Sequence, residues 1–353
     1  MKAAVLHAKN DLRCEEVEKP VPRSDEVLVK ISYCGICGSD MPRVLQGTAH
    51  YFPIILGHEF SGVVEAVGTD VKDFKPGDRV SAAPLVPCGE CEDCKNGWYS
   101  LCKNYDFIGS RLPGAWQDYL CVPARNVLHV PDDVSLEQAA FLEPATVALH
   151  GLMLMGFDRD YKPGQRVAVF GMGTIGLLTL QCAKYLGAQE VDVFDIDEAK
   201  LAIAKEYGAS RAFNTAVEDF DAQVKAACPR GYDWVFEAAG FPATEIMSLK
   251  YAGNRSRVMF IGTPSRPVTL QPAEFEYINR KELLVSGSWM SYSAPWPGRE
   301  WHVALQALGS GVVQTEKLLD SIVPLSQADK AFKRIENREV SGKILLEANE
   351  KCN

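Results

Sequence analysis

The stretch Val167-Ala-Val-Phe-Gly171-Met-Gly173-Thr174-Ile175-Gly176-Leu-Leu178 sets a Gly-x-Gly-x-x-Gly between an apolar run and the start of a helical pattern. A strand that turns sharply into a helix at this spacing aims the first helical amides, here those around Thr174 and Ile175, at a phosphate group. Gly171 permits the tight turn, Gly173 lets the backbone approach a pyrophosphate, and Gly176 lets the helix pack closely on the sheet. Asp195 follows nineteen residues after Gly176, at the end of the next apolar run. A carboxylate placed there holds both ribose hydroxyls of the adenosine half of a dinucleotide. The next residue is Ile196, not the Ser or Arg that would suit a 2′-phosphate, so the expected cofactor is NAD rather than NADP. A glycine-rich turn with no ligand is the plainer alternative; strand, helix and acid in register argue against it.

Outward from this turn, apolar runs recur at Glu190-Val-Asp-Val-Phe-Asp195, Tyr232-Asp-Trp-Val-Phe-Glu237, Ser256-Arg-Val-Met-Phe-Ile-Gly262 and Leu283-Leu-Val-Ser-Gly287, with amphipathic stretches between them. That order predicts an α/β domain with a doubly wound parallel sheet over residues 149–288. Before it, short alternating runs such as Glu26-Val-Leu-Val-Lys-Ile31, Gly62-Val-Val-Glu-Ala-Val67 and Asp78-Arg-Val-Ser-Ala82 are split by Pro and Gly, which predicts a mostly-β domain over 1–148. The pattern turns helical around Glu143-Pro144. Residues 289–353 are expected to return to the first domain through Gly342-Lys-Ile-Leu-Leu-Glu347. Two domains also suit a length of 353 residues.

A net charge of -9 argues against a nucleic-acid partner, which needs a basic face. No apolar run reaches the roughly 18 residues a membrane span requires. The opening Met1-Lys-Ala-Ala-Val-Leu-His7 reads as an edge strand rather than a secretory signal, so the expected location is the cytoplasm. Eleven cysteines, four of them within fifteen residues, then point to metal rather than disulfides.

Those four, Cys88-x2-Cys91-x2-Cys94-x7-Cys102, supply a full tetrahedral set of thiolates. This is what a closed, structural Zn²⁺ takes, with no position left for water or substrate. A second constellation is scattered: Cys37-Gly-Ser39-Asp40, then Gly57-His58-Glu59, then Glu143-Pro144. Core thiol, core imidazole and helix start are ordinary readings of its parts, and spacing alone leaves a shared metal site open.

Gly-His-Glu, Cys-Gly-Ser-Asp, the four-cysteine loop, Glu-Pro and the dinucleotide turn occur here in the order found in the zinc-containing medium-chain alcohol and polyol dehydrogenases, and the chain resembles that family over essentially its whole length. Within it, His50-Tyr-Phe-Pro-Ile-Ile-Leu-Gly-His-Glu59, Tyr105-Asp-Phe-Ile-Gly-Ser-Arg111 and the segment Gly287–Gly298 are most similar to a branch acting on phosphorylated polyols. The resemblance implies a GroES-like first domain, a Rossmann second domain, and two zinc ions per subunit. It makes Cys37 and His58, with Glu59 or Glu143, the shell of a catalytic zinc. It also implies oxidation of a hydroxyl by NAD in a dry cleft, and a homodimer or homotetramer paired through an edge strand, for which Leu283–Gly287 is the candidate.

Departures from the family pattern bear on substrate and proton path. The relay His of the alcohol dehydrogenases falls at Pro42, so Ser39 is the expected proton relay, with Glu143, Glu59 or water completing the path. The Arg-Tyr pair of sorbitol-type enzymes falls at Ser291-Tyr292, where a different polar contact is expected. A phosphorylated substrate needs cations at hydrogen-bond distance, and Arg43 and Arg111 are the candidates. An enzyme for unphosphorylated polyols and a non-enzymatic NAD-binding protein on the same fold are the rival readings. Zinc-free quinone reductases would lack both cysteine clusters.

Overall fold

The computed structural model describes residues 1–264 and 266–349. It divides into two compact units: 1–143 with 292–309 and 315–349, and 144–264 and 266–291 with 310–314.

The second unit is built on six parallel strands in the order Arg211–Asn214, Glu190–Asp195, Arg166–Phe170, Tyr232–Glu237, Ala252–Phe260, Leu284–Gly287. Numbered along the chain this is 3-2-1-4-5-6, the doubly wound order that reverses between the first and fourth strands. The apolar runs read in the sequence are near-continuous because helices cover both faces of such a sheet. Register aligns Phe170 with Phe194 and Phe194 with Phe213. Their rings stack across the strands with centroids 4.3 and 5.2 Å apart. Each fully buried Phe contributes roughly 1.5–3 kcal/mol. The buried Asp192 is satisfied by Arg211 at 2.7 Å and by the Tyr232 hydroxyl at 2.7 Å. Ser310–Gln314 joins this unit through reciprocal bonds: the Gln181 amide donates to Gln314 O at 3.1 Å and accepts from Gln314 N at 2.8 Å. Leu284–Gly287 is the terminal strand on its side of the sheet.

The first unit is mostly β. Its seven-stranded sheet is organised by Glu26–Gly35, which pairs antiparallel with Glu59–Val67, with Tyr119–Pro123 and, near its end, with Lys343–Glu347. The chain's last described strand thus lies beside one of its first. Buried apolar residues from these strands, including Val27, Val29, Ile31, Phe60, Trp116, Ile344 and Leu346, form one core. The helix Leu142–Leu154 begins where the first unit ends, with Glu143 in its first turn. Pro144 is tolerated there because first-turn amides have no intrahelical acceptor. Among the described residues no helix is long and apolar enough to cross a membrane.

Candidate metal and cofactor sites

Strand register assembles the scattered constellation. Glu26–Gly35 and Glu59–Val67 pair Gly35 opposite Glu59, so Cys37, two residues beyond one strand end, meets His58 and Glu59 at the other. The Cys37 thiol, the His58 imidazole and the Glu59 carboxylate offer ligand atoms within 4.8 Å of one another. Gly35 is needed for this approach, since a Cβ there would collide with Glu59 Oε2. The third strand delivers a residue the sequence reading passed over: Lys343 places its ammonium 2.5 Å from Glu59 Oε2 and 3.3 Å from the Ile36 carbonyl. Both partners of this ion pair are buried, with side chains 5% and 2% exposed.

Asp40 is the other residue whose part was not foreseen. Fully buried, it accepts from Cys37 N–H at 3.0 Å and from the Arg43 guanidinium at 2.9 Å, and its Oδ1 stands 3.8 Å from His58 Nδ1. Burial pushes the Asp40 carboxyl up from its ordinary range, against the pull of His58 and Arg43. The Cys37 thiol is pushed up to about 12, first by burial and then by the charge of Glu59, with Lys343 opposing. Glu143 is not in the mutual 4.8 Å set but lies within the field of its charges. Burial raises its carboxyl to about 7, His58 pulling down and Glu59 pushing up.

These donors fit a divalent cation. A soft thiol, an imidazole and a carboxylate are a zinc donor set. His58 Nδ1 is buried without a hydrogen bond, the kind of orphaned polar atom that an added ligand or ion sphere explains. Ser39 is exposed at the start of the helix Asp40–Gln46; its N–H points to Cys37 Sγ at 3.5 Å and its hydroxyl accepts from Arg43 at 3.1 Å. Arg111, exposed, lies over the Tyr105 ring at 4.4 Å, and its N–H donates to the Phe107 carbonyl at 2.9 Å. The Phe107 ring meets the His58 imidazole edge-on at 5.6 Å. The Arg43 guanidinium is thus joined to the ligand set through Asp40, whereas Arg111 is held near Phe107 by its backbone amide and its guanidinium rests on Tyr105. His50 joins them: its pKa is lowered by partial burial, then by Arg111 and Arg43.

Cys88, Cys91, Cys94 and Cys102 bring four sulfurs within 4.8 Å of one another. Sγ separations are 3.9 Å for Cys88–Cys94, 3.9 Å for Cys91–Cys102 and 3.5 Å for Cys88–Cys102. A tetrahedron with metal–sulfur bonds of about 2.3 Å has sulfur–sulfur edges of about 3.8 Å, whereas a disulfide would need about 2.05 Å. Backbone amides of Glu90 and then Cys91 lower the Cys88 thiol to about 7, while burial raises Cys94 to about 12.

At the dinucleotide turn, Gly171 has φ 88°, the left-handed region that glycine supplies. Gly173 caps the twelve-residue helix Thr174–Tyr185 with no side-chain hydrogen bond to its amides, and a Cβ built on it would meet open space. Asp195 ends the adjacent strand; it accepts from Met172 N–H at 2.6 Å and from the amides of Ile196 and Asp197 at 2.8 and 3.0 Å, which fixes its carboxylate beside the turn. Free helix amides, open space and a fixed acid fit a dinucleotide. Ser291 and Tyr292 are both buried, so neither side chain presents a polar surface: Thr146 donates to Ser291 at 2.7 Å, and the Tyr292 hydroxyl accepts from Leu85 N–H at 3.3 Å.

Comparison with known proteins agrees with this layout. The alcohol dehydrogenase GroES-like domain matches residues 23–132, and the zinc-binding dehydrogenase model matches residues 174–308. The chain is 41% identical to galactitol 1-phosphate 5-dehydrogenase of Escherichia coli K12, over 98% of this chain and 99% of that one. It is 34% identical to sorbitol dehydrogenase of Bacillus subtilis 168, over 95% and 93%. The crystal structure of galactitol-1-phosphate dehydrogenase from Escherichia coli superposes with a TM-score of 0.92 at 41% identity, covering 98% of this chain and 99% of that one. With its GroES-like unit, its parallel cofactor-type sheet and these relatives along its length, the chain belongs to the zinc-binding alcohol and polyol dehydrogenases, a family of oxidoreductases.

Proposed function

We propose that the chain oxidises a secondary hydroxyl of a phosphorylated polyol with NAD, galactitol 1-phosphate to tagatose 6-phosphate being the first candidate. The observation that carries the phosphate is the pair Arg43 and Arg111, whose charges both bear on His50, with Arg43 joined through Asp40 to the Cys37–His58–Glu59 set. A phosphate dianion suits converging guanidinium groups. The similarity to galactitol 1-phosphate 5-dehydrogenase supports the same reading.

In this reading Cys37 and His58, with Glu59 or Glu143, hold the catalytic zinc, and the four cysteines hold a structural one, two ions per subunit. When bound, the catalytic ion supplies Lewis acidity toward the substrate hydroxyl, and NAD accepts the hydride. Ser39 orients the hydroxyl at the mouth of the site, where Arg43 holds the serine's own hydroxyl. Where Glu59 is the zinc ligand, Glu143, set beside the same charges, is the group that completes the proton path in place of the relay His that Pro42 replaces. Lys343 pairs with Glu59 and fixes its carboxylate, and Asp40 orients His58. The amides at Thr174 and Ile175, with Gly171, Gly173 and Gly176, cradle the pyrophosphate, and Asp195 takes the ribose hydroxyls and repels a 2′-phosphate. The described cysteines form no disulfide, which suits a reducing compartment and a place in the cytoplasm. The terminal strand Leu284–Gly287, with Leu284 55% exposed, supports pairing with a second copy as dimer or tetramer.

A second reading, oxidation of an unphosphorylated polyol, is favoured by the engagement of Arg43 with Asp40 and Ser39. Arg43→Ala and Arg111→Ala separate the two. The phosphate reading expects KM for galactitol 1-phosphate to rise at least tenfold with either change, a charge-assisted bond being worth about 1.5–3 kcal/mol. An unchanged KM, with free galactitol used equally well, refutes it.

A further inference from the structure

The four-cysteine lobe is bonded to a segment almost two hundred residues away in sequence. The turn Tyr99–Leu101 leads directly into Cys102. The buried hydroxyl of Ser100 in that turn serves both backbone groups of Tyr292, accepting from its N–H at 3.1 Å and donating to its carbonyl at 3.3 Å. The Tyr292 ring, 2% exposed, stacks on Trp296 at 5.5 Å and on Trp301 at 5.7 Å. Tyr99 meets Trp296 edge-on at 5.2 Å.

From Tyr292 the contacts continue toward the catalytic ligand set. Its hydroxyl accepts from Leu85 N–H at 3.3 Å. Leu85 pairs in register with Phe107, whose ring packs edge-on against His58. An unbroken line of bonded or packed groups therefore runs from Cys102 through Ser100, Tyr292, Leu85 and Phe107 to the imidazole. Every member is in the first unit.

We propose that Tyr292 is a positioning residue that carries the folded state of the four-cysteine lobe to His58. Tyr292 touches neither substrate nor cofactor in this role. Its hydroxyl fixes the height of the short strand Leu85–Val86, and that strand fixes the Phe107 ring against which the imidazole rests. The lobe then does more than brace its own loop: with Ser100 out of place, Tyr292 loses the partner of both its backbone groups, and the wall behind His58 loosens. The proposal rests on the reading that Cys37, His58 and a carboxylate hold a metal ion.

The test uses Co²⁺ as the probe at the catalytic site of the full chain, with zinc retained by the four cysteines. Tyr292→Phe removes only the hydroxyl and keeps the ring stacks; Ser100→Ala removes only the bonds to the Tyr292 backbone. Both are expected to weaken Co²⁺ binding about tenfold, the size of effect produced by groups behind a ligand. Both are also expected to shift its visible absorption bands, while the zinc at the four cysteines and the far-ultraviolet circular dichroism stay unchanged. Trp98→Ala, at a 57% exposed position in the same lobe, is expected to leave affinity and bands as in the wild type. Wild-type affinity and bands in both buried variants would overturn the proposal, as would an equal loss in Trp98→Ala. Where Tyr292→Phe fails to fold, Ser100→Ala against Trp98→Ala decides alone. Failure of the wild type to bind Co²⁺ outside the four-cysteine site would instead overturn the metal reading on which the proposal stands.

Discussion

Replacing Lys343 with Met tests how the Glu59 carboxylate is held. Lys343 and Glu59 form a buried ion pair at 2.5 Å, and no solvent screens either charge. Methionine keeps much of the volume and removes the ammonium. In the metal-free protein Glu59 would be left as an unpaired buried charge beside the Cys37 thiol, and removing one partner of such a pair costs about 3–5 kcal/mol. For a domain of this size each kcal/mol moves the unfolding midpoint by about 2–4 °C, so a fall of roughly 6–20 °C is expected. A bound divalent cation would supply the positive charge that Lys343 no longer provides. The same substitution should therefore cost clearly less in the zinc-loaded protein, and by linkage the variant should bind zinc more tightly relative to its own metal-free state than the wild type does. Thermal unfolding of both proteins, in excess zinc and after chelation, measures all four midpoints. A loss that is equal in the two states, or larger with zinc, refutes the reasoning that Glu59 lies in the metal's field.

Asp40→Asn removes the charge facing His58 and Arg43 and should weaken metal binding at the Cys37–His58–Glu59 set by about 10- to 100-fold in a chelator competition. Glu143 has a pKa raised from 4.5 to about 7 in the folded metal-free protein, so the native state binds the extra proton between those values and stability should fall as pH rises from 4.5 to 7. Denaturant unfolding of metal-free Glu143→Gln across that range should show a flatter dependence than wild type; a matching slope would exclude Glu143 as its source. On the proposed two-ion reading, Cys94→Ser should remove the ion of the four-cysteine site while leaving NADH binding by fluorescence within twofold, because the four sulfurs and the dinucleotide turn belong to different units. Asp195→Ala should weaken NAD binding and raise the relative affinity for NADP, since the fixed carboxylate beside the turn is lost.

How legible each part was depended on how its residues are brought together. The four cysteines lie within fifteen residues, and a single loop closes them, so their spacing carried the geometry. The dinucleotide turn is equally local, and the apolar runs around it were long enough to announce a parallel sheet. Cys37, His58 and Glu59 are joined instead by the antiparallel register that sets Gly35 opposite Glu59, a property no spacing rule encodes, and only resemblance to a family connected them. Lys343 was invisible for the same reason at greater range: 284 residues separate it from Glu59, and the final strand delivers it. Asp40 stood inside a quoted motif, yet its importance lies in complete burial between Cys37, His58 and Arg43, which a one-dimensional pattern does not reveal. Ser291 and Tyr292 stand where the family pattern has an Arg-Tyr pair, which predicts only that a different polar contact is made there; the bonds to Thr146, Ser100 and Leu85 come from segments distant in sequence.

The central claim, a zinc-dependent, NAD-linked oxidation that recognises phosphate, is tested most directly by one ratio: kcat/KM for galactitol 1-phosphate over kcat/KM for galactitol, with NAD and the zinc-loaded enzyme. Two charge-assisted contacts of about 1.5–3 kcal/mol each, at 1.36 kcal/mol per tenfold, predict a ratio of about 100 or more. A ratio near one, or NADH formation that survives complete removal of zinc, would contradict the account.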